Sequence, residues 1–417
     1  MRAALAAVEP GELVVRALRG APPSAGRVRL LAVGKAAAAM AAGALAFLGD
    51  RVSRGVVIAP SDVEIDPRLA SVHGDHPMPS SHSERAGRAA LDLAQASDDA
   101  GVLLVLLSGG ASALMAAPAR GISLADKQRT TDRLLREGVT ITELNTVRKH
   151  LSAVKGGQLA AASTIPVMTL AISDVVGDDP AVIGSGPTVA DTSSFAEALS
   201  IVTRAGGGGV FPAAVMKRLE EGASGGVKET PKKGDRRLER SRWTLIGGRA
   251  NAMDAAAIEA RKHGYEVHVR HEPVVGEARV AAGEWLPWLF GSMQRPGHVC
   301  LISSGESTVK VTGTGLGGRN QEFALALARP LARMSRPVAL ASVGTDGVDG
   351  PTDAAGAVVS SDTLTRALRA GLAEPETYLA NNDAYHFFEP LSDLLKTGPT
   401  GTNVGDLQVC LIQTSQP

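Results

Sequence analysis

The sequence predicts an α/β protein of two domains, the first a Rossmann-like, mostly parallel sheet flanked by helices. Three observations carry this. Aliphatic runs without polar alternation at 28–33, 102–107 and 167–172 read as strands covered on both faces. Helix-like segments separate them, the order that gives parallel strands joined by crossover helices. A length of 417 residues exceeds what one core usually organises, and 44% apolar residues are enough for two cores.

The elements follow in order. The strand at 28–33 leads into an alanine-rich helix at 36–48, then a strand at 55–59 and a helix at 83–96. After the strand at 102–107 come helices at 124–137, with Ser123 and Asp126 as cap residues, and at 141–151, where Thr140 and Glu143 form a capping-box pattern. The strand at 167–172 ends in an acidic loop. Glycine-rich, proline-containing and charged stretches at 206–209 and 222–241 read as a flexible connection. Its basic residues Lys228, Lys232, Lys233, Arg236 and Arg237 form a solvated face, because Glu229, Asp235 and Glu239 are interleaved with them. Alternation then resumes: strand 243–246, helix 250–263, strand 265–269, helix 277–289, strands 298–302 and 307–311, a glycine-rich turn with its helix, and strand 338–343. The domains are expected at residues 1–238 and 239–417.

Net charge is +0, with no long basic run and few aromatics, so neither nucleic acid nor a membrane surface is expected as a partner. Small molecules are. The longest apolar stretch, 36–48, is shorter than the about 20 residues a bilayer requires. Residues 1–19 carry Glu9 and Glu12 among apolar positions and lack a signal peptide's apolar core, so a cytoplasmic protein is expected. Cys300 and Cys410 lie in strand-like runs without metal-ligand spacing and read as buried thiols. Association into a homo-oligomer is compatible with this composition.

Several motifs can carry chemistry. Gly313, Gly315, Gly317 and Gly318 hand Arg319 to the start of a helix, an arrangement that lays N–H groups bare and turns a positive helix end toward an anion. Gly313, Gly315 and Gly318 also match the dinucleotide fingerprint, but the ribose-binding acid is missing about 20 residues on, and the first acid available is Asp346. Lys35 follows the strand at 28–33, where open α/β sheets bind ligands. Ser108, Gly109, Gly110 and Ser112 occupy the same position after 102–107 and offer a nest of N–H groups and hydroxyls for phosphate. At helical spacing Arg148, Ser152 and Lys155 share a face that would receive an acid substrate. Asp174, Asp178 and Asp179 end one strand, and Asp346, Asp349 and Asp353 follow another; either loop suits a nucleotide-bound magnesium ion. His73 and His76 flank Gly74-Asp75 in a loop where local hydrogen bonding is expected rather than zinc.

Taken together, V-G-K-A at 33–36, G-D-H-P-M-P at 74–79, S-G-G-A-S-A-L at 108–114, N-T-V-R-K-H-L-S at 145–152, I-S-D-V-V-G-D at 172–178, G-G-R-N-Q-E at 317–322 and T-D-G-V-D-G-P-T-D-A-A-G at 345–356 resemble the class II glycerate kinases, the family with a C-terminal MOFRL domain. The resemblance spans nearly the whole chain. It implies ATP- and Mg2+-dependent transfer of a γ-phosphoryl group to D-glycerate, generally giving 2-phosphoglycerate, in a cleft between two α/β domains. It places the catalytic lysine and arginine at Lys35 and Arg319. Within these motifs, Ser108, Gly109, Gly110, Ser112, Gly315, Gly317 and Gly318 are expected to hold ATP. Arg148, Lys149, Asn320 and Glu322 are expected at the substrate, and Asp174, Asp178 and Asp346 at the metal. A general base stays open among Asp174, Asp178, Asp346 and Asp349. Two other readings are a nicotinamide-dependent hydroxypyruvate reductase using the loop from Gly313 to Gly318, and a non-catalytic binder of small organic anions.

Overall fold

Strand β1 (Arg27–Val33) is buried at every position but Arg27, as a strand covered on both faces must be. It lies at the centre of a six-stranded sheet in a computed structural model that describes residues 1–24 and 26–414. The chain divides into two units, Pro10–Ile246 and Gly247–Pro417 with Met1–Glu9.

In the first unit β2 (Val52–Ala59), β3 (Leu69–His73), β4 (Ala100–Leu107), β5 (Val167–Ile172) and β6 (Ser241–Gly247) join β1 in the order β3-β2-β1-β4-β5-β6. The pairs β1–β2, β1–β4, β2–β3 and β4–β5 are parallel. Strand order reverses between β1 and β4, and a ligand crevice opens beyond the carboxyl ends of strands at such a reversal. The alanine-rich helix is Ala37–Leu48, and it crosses Pro10–Gly20 so closely that a Cβ on Gly43 would lie 2.4 Å from the Gly11 carbonyl oxygen. Helices Leu124–Arg136 and Ile141–His150 begin with the expected capping boxes, Ser123 with Asp126 and Thr140 with Glu143.

The segment expected to be a flexible connection is folded onto this unit. Helix Ala213–Ala223 packs Gly222 where a Cβ would meet the Phe195 ring at 2.2 Å. Further on, Glu229 accepts the Phe195 N–H at 2.7 Å and Thr230 donates to Asp191 at 2.9 Å. Glycine, proline and charge imitate a linker in composition; distant hydrogen-bond partners decide otherwise.

The second unit holds a mixed sheet of β7 (Glu266–Val269), β8 (Val274–Glu277), β9 (Val299–Thr308), β10 (Val338–Gly344), β11 (Gly356–Ser360), β12 (Leu394–Leu395) and β13 (Asp406–Ile412). Its order is β12-β11-β10-β13-β9-β7, with β8 also pairing β9. The two strands expected at 298–302 and 307–311 are one continuous β9. Its polar middle is not a turn: Ser303 accepts from the Trp285 indole at 3.0 Å and donates to Gln408 at 3.0 Å. Gly305 is glycine because a Cβ there would meet the Val274 carbonyl oxygen at 1.9 Å. Trp285, Phe323, Leu327, Phe387 and Phe388 fill the core. Helix Arg2–Ala7 packs on Arg249–Lys262, and Thr402 donates to the Val8 carbonyl at 2.8 Å. Cys300 and Cys410 are free and buried, as expected, and burial pushes the Cys300 thiol up to about 11. Among the described residues no helix is long and apolar enough to cross a membrane.

Arg29, on β1, is fully buried and was not marked by the sequence pattern. Its guanidinium donates to Asp98 at 2.8 Å and to the carbonyls of Leu93, Ala94 and Ala96, closing the last turn of helix Ser81–Gln95. Arg29→Met should lower unfolding free energy by about 3 kcal/mol, because those carbonyls lose their donors. Arg27→Met, which removes an exposed pair with Asp99, should cost less than about 1 kcal/mol. Equal losses in urea unfolding would refute the assignment.

Candidate functional site

At the reversal of strand order the turns after β1 and β4 are joined by direct contact. Gly34 has φ +130°, and a Cβ there would sit 2.1 Å from the Ser108 hydroxyl oxygen. The Ser108 hydroxyl accepts the Ala36 N–H at 3.1 Å, and the Gly109 carbonyl accepts the Lys35 N–H at 2.9 Å. Ser108, 2% exposed, therefore braces the turn, while Lys35 is exposed above it. Gly110 has φ +84°, and a Cβ there would lie 3.2 Å from His76 Cδ2 and 3.5 Å from Lys35 Cγ. His76 thus stands beside Lys35, and burial followed by the lysine's charge pulls its pKa below the ordinary value. Sequence reasoning expected only local hydrogen bonding of His76, although it sits within G-D-H-P-M-P. The neighbouring His73 and His82 hydrogen-bond Asp75 at 3.0 and 3.1 Å; with Ser80 contributing most, they bring Asp75 down to about 2. The local hydrogen bonding expected here is present, with His82 in place of His76.

Ser112 receives the Lys155 ammonium at 2.5 Å and lies 2.9 Å from the Ser185 hydroxyl, which donates to Asn145 at 3.2 Å. Helix Ile141–His150 ends before Ser152, whose hydroxyl turns inward to the Ala117 carbonyl at 3.2 Å. The helical strip expected from Arg148, Ser152 and Lys155 does not form. Arg148 and Lys155 instead line a small pocket with Ser112 and Lys127, a residue the sequence reading did not single out. Lys149 lies elsewhere, 3.2 Å from Asp191 in an ion pair whose side chains are 7% and 0% exposed. Asp174 and Asp178 follow β5. Asp178 has φ +51°, and its Oδ1 is buried with no hydrogen-bond partner among the described residues. An orphaned carboxylate oxygen fits a hard cation.

In the second unit helix Arg319–Ala332 starts at Arg319. Its amino end is already occupied: Asp349 accepts the Asn320 and Gln321 N–H groups at 3.0 and 2.9 Å. The glycine loop is not bare either. The N–H groups of Thr312 and Gly313 go to the Asn382 side chain, that of Thr314 to the Asn381 side chain, that of Gly315 to the Asn381 carbonyl and that of Leu316 to Asp383. The expectation of free amides is corrected for these five residues, whose partners lie about 70 positions away. Close backbone approach explains the glycines. A Cβ on Gly313 would meet the Asn381 carbonyl oxygen at 2.3 Å, one on Gly315 the Asp383 Cβ at 2.4 Å, and one on Gly318 the Asp349 Cγ at 2.3 Å, with Gly317 looser at 3.2 Å from the Ala384 nitrogen.

Arg319 Nε donates to both oxygens of Asp406, at 3.0 and 2.8 Å, and its Nη1 lies 3.4 Å from Glu306. Burial lowers the guanidinium pKa and Asp406 more than restores it, leaving it above the ordinary value. Burial pushes Asp406 up, and Arg319 and Asn320 oppose that shift. Asn320 donates to Asp406 at 2.9 Å. Glu322, 1% exposed, braces Arg279 and Asn382, each at 2.7 Å. Asp346 accepts the Val348 N–H at 3.2 Å, and burial pushes Asp349 up to about 6 against the two N–H bonds it accepts.

Comparison with known proteins gives the family. Residues 1–220 match the model of a domain of unknown function, DUF4147, and residues 299–406 match the MOFRL family. A D-glycerate 2-kinase of Thermotoga maritima is 39% identical over 93% of this chain and 91% of that protein. The chain belongs to the class II glycerate kinase family. A glycerate 2-kinase of Pyrococcus horikoshii is another relative, 35% identical over 94% of this chain and 88% of its own length. A putative hydroxypyruvate reductase of Agrobacterium vitis is 38% identical over 98% and 92%. The crystal structure of a Thermotoga maritima glycerate kinase superposes with a TM-score of 0.87 at 37% identity, covering 98% of this chain and 96% of that one. Within this family, then, the chain supplies a lysine at a strand-order reversal and an arginine fixed by a buried aspartate.

Gly34→Ala should destabilise the protein by more than about 2 kcal/mol and cannot be relieved by a side-chain rotation, since the Ser108 carbonyl oxygen also lies 2.7 Å from the new Cβ. Gly121→Ala is the control: its φ is +82° but nothing lies within 4 Å, so backbone strain alone should cost about 1 kcal/mol. Thermal melts in which the two variants coincide would remove the steric argument.

Proposed function

We propose that this chain transfers the γ-phosphoryl group of ATP to the 2-hydroxyl of D-glycerate, giving 2-phosphoglycerate. The observation that carries the reading is Lys35, raised at the carboxyl end of β1 where strand order reverses and rooted by the Gly34–Ser108 contact. The similarity to proteins named glycerate 2-kinase supports the substrate.

Phosphoryl transfer asks a protein for alignment and positive charge rather than covalent chemistry. Lys35 supplies a point charge at the end of a four-carbon stem. Arg319 supplies a planar charge whose orientation Asp406 sets through Nε. The Gly109–Gly110 turn lies under Lys35 and would carry the phosphates. Asp178, with Asp174 in the same loop, would hold magnesium, which when bound neutralises phosphate charge. The relative named as a hydroxypyruvate reductase keeps a second reading in view, but a pyrophosphate would have to compete with Asn381, Asn382 and Asp383 for the loop amides.

Lys35→Ala should lower kcat at least about a hundredfold with unchanged melting temperature, and Arg319→Ala should lower kcat as far while also lowering the melting temperature, because the buried Asp406 loses its partner; a transition-state arginine is typically worth about 10³ to 10⁵ in rate. ADP release with D-glycerate measures turnover, and phosphorus NMR identifies the product. NADH oxidation with hydroxypyruvate in the absence of ATP would overturn the reading. So would near-full activity of both variants.

A further inference from the structure

Three basic side chains converge in the first unit, and among the described residues no carboxylate hydrogen-bonds any of them. Lys127, on helix Leu124–Arg136, is 6% exposed, and its ammonium nitrogen has no hydrogen-bond partner among the described residues. Arg148, from helix Ile141–His150, and Lys155 line the same pocket. Among the described residues none of the three enters an ion pair. Burial, then Arg148, brings Lys127 down to about 7, with Glu84 opposing weakly. An unpaired buried ammonium leaves its full desolvation cost uncompensated.

The pocket also has a direction. Its wall includes Met78 and Pro79, and Gln128 donates to the Pro79 carbonyl at 2.7 Å. His76, two residues before Met78, stands with Lys35 over Gly110. Ser112, two residues after Gly110, faces the pocket from the other side and takes the Lys155 ammonium. Two short segments therefore run from the lysine proposed for phosphoryl transfer to the unpaired cations. The free volume is about 10 Å³, room for about one water molecule. That is also room for one oxygen of an anion whose remainder lies outside the pocket.

We propose that Lys127 and Arg148 seat the carboxylate of the three-carbon hydroxy acid, with Ser112 and the Lys155 ammonium it holds completing the wall. This rests on the glycerate kinase reading for the identity of the acid. The carboxylate would supply the counter-ion that the fold withholds from Lys127, and its hydroxyls would extend toward Lys35. Specificity for an acid over a neutral polyol follows from Arg148 and Lys127, an anion's charge offsetting the burial that pulls Lys127 down.

The test uses the full chain and Lys127→Met, which keeps the length of the side chain and removes its charge. The expected result is a KM and a titrated Kd for D-glycerate raised at least about tenfold, with ATP affinity within twofold of wild type and a melting temperature not lowered. Lys127→Arg should recover most of the loss. Unchanged D-glycerate affinity overturns the proposal, as does weakened ATP or inorganic phosphate binding with D-glycerate unaffected, which would make the pocket a phosphate seat. If the unmodified chain does not phosphorylate D-glycerate but binds it with the same dependence on residue 127, the kinase reading fails and the carboxylate seat stands.

Discussion

The contact of Gly34 with Ser108 is the constraint on which the first unit's site depends. Parallel strands β1 and β4 end side by side, with the Ser108 N–H on the Val33 carbonyl at 3.0 Å and the Gly34 N–H on the Ile58 carbonyl at 3.1 Å. No side chain fits between the two turns, so the backbones bond directly and the Ser108 hydroxyl reaches Ala36. The result is a rigid root beneath an exposed lysine. A long flexible side chain on a fixed root can follow a phosphoryl group over a short path without the sheet moving, which is the form of positioning that phosphoryl transfer rewards.

The second unit solves a different electrostatic problem. The positive end of helix Arg319–Ala332 is satisfied by Asp349, so the helix contributes little net field to a ligand. The charge left for chemistry is that of Arg319 itself, gripped through Nε by Asp406. Asn320 ties the two acids together, donating to Asp406 and, at 3.4 Å, to Asp349. Glu322 does the same for the glycine loop through Asn382, whose side chain collects two loop N–H groups. The residues of G-G-R-N-Q-E thus act largely as a mounting, with the arginine as the group that is mounted.

What the sequence made legible was local or periodic. Strands buried on both faces showed as unbroken aliphatic runs, and the caps at Ser123 and Thr140 showed because their partners lie three residues away. The position of Lys35 at the carboxyl end of β1 showed because a lysine after such a strand has a topological meaning. What stayed hidden was decided at long range. Nothing near Thr312 announces that Asn382 will take its N–H, and nothing near Thr230 announces Asp191. The continuity of β9 across Ser303 and Gly305 likewise depends on Gln408 and Val274. Lys127 escaped notice for the same reason: on its own helix it is one polar residue among many, and only the fold turns it inward.

Two buried lysines in the first unit make an internal comparison. Lys149 meets Asp191 at 3.2 Å, and Asp191 is steadied by Ser193 at 2.8 Å and Thr230 at 2.9 Å. That cluster is complete: every charge has its opposite, and the acid's remaining oxygens are bonded. Lys127, equally buried, has no such partner among the described residues. A chain able to build the first arrangement has the means to build the second, and packing alone gives no reason to carry an ammonium where a methionine would fill the space at lower cost. The ammonium becomes favourable only when an anion arrives from solution. The same burial that penalises the empty pocket strengthens the attraction once it is filled, because no water competes for the donors. Lys149 is therefore a brace, and Lys127 a receptor.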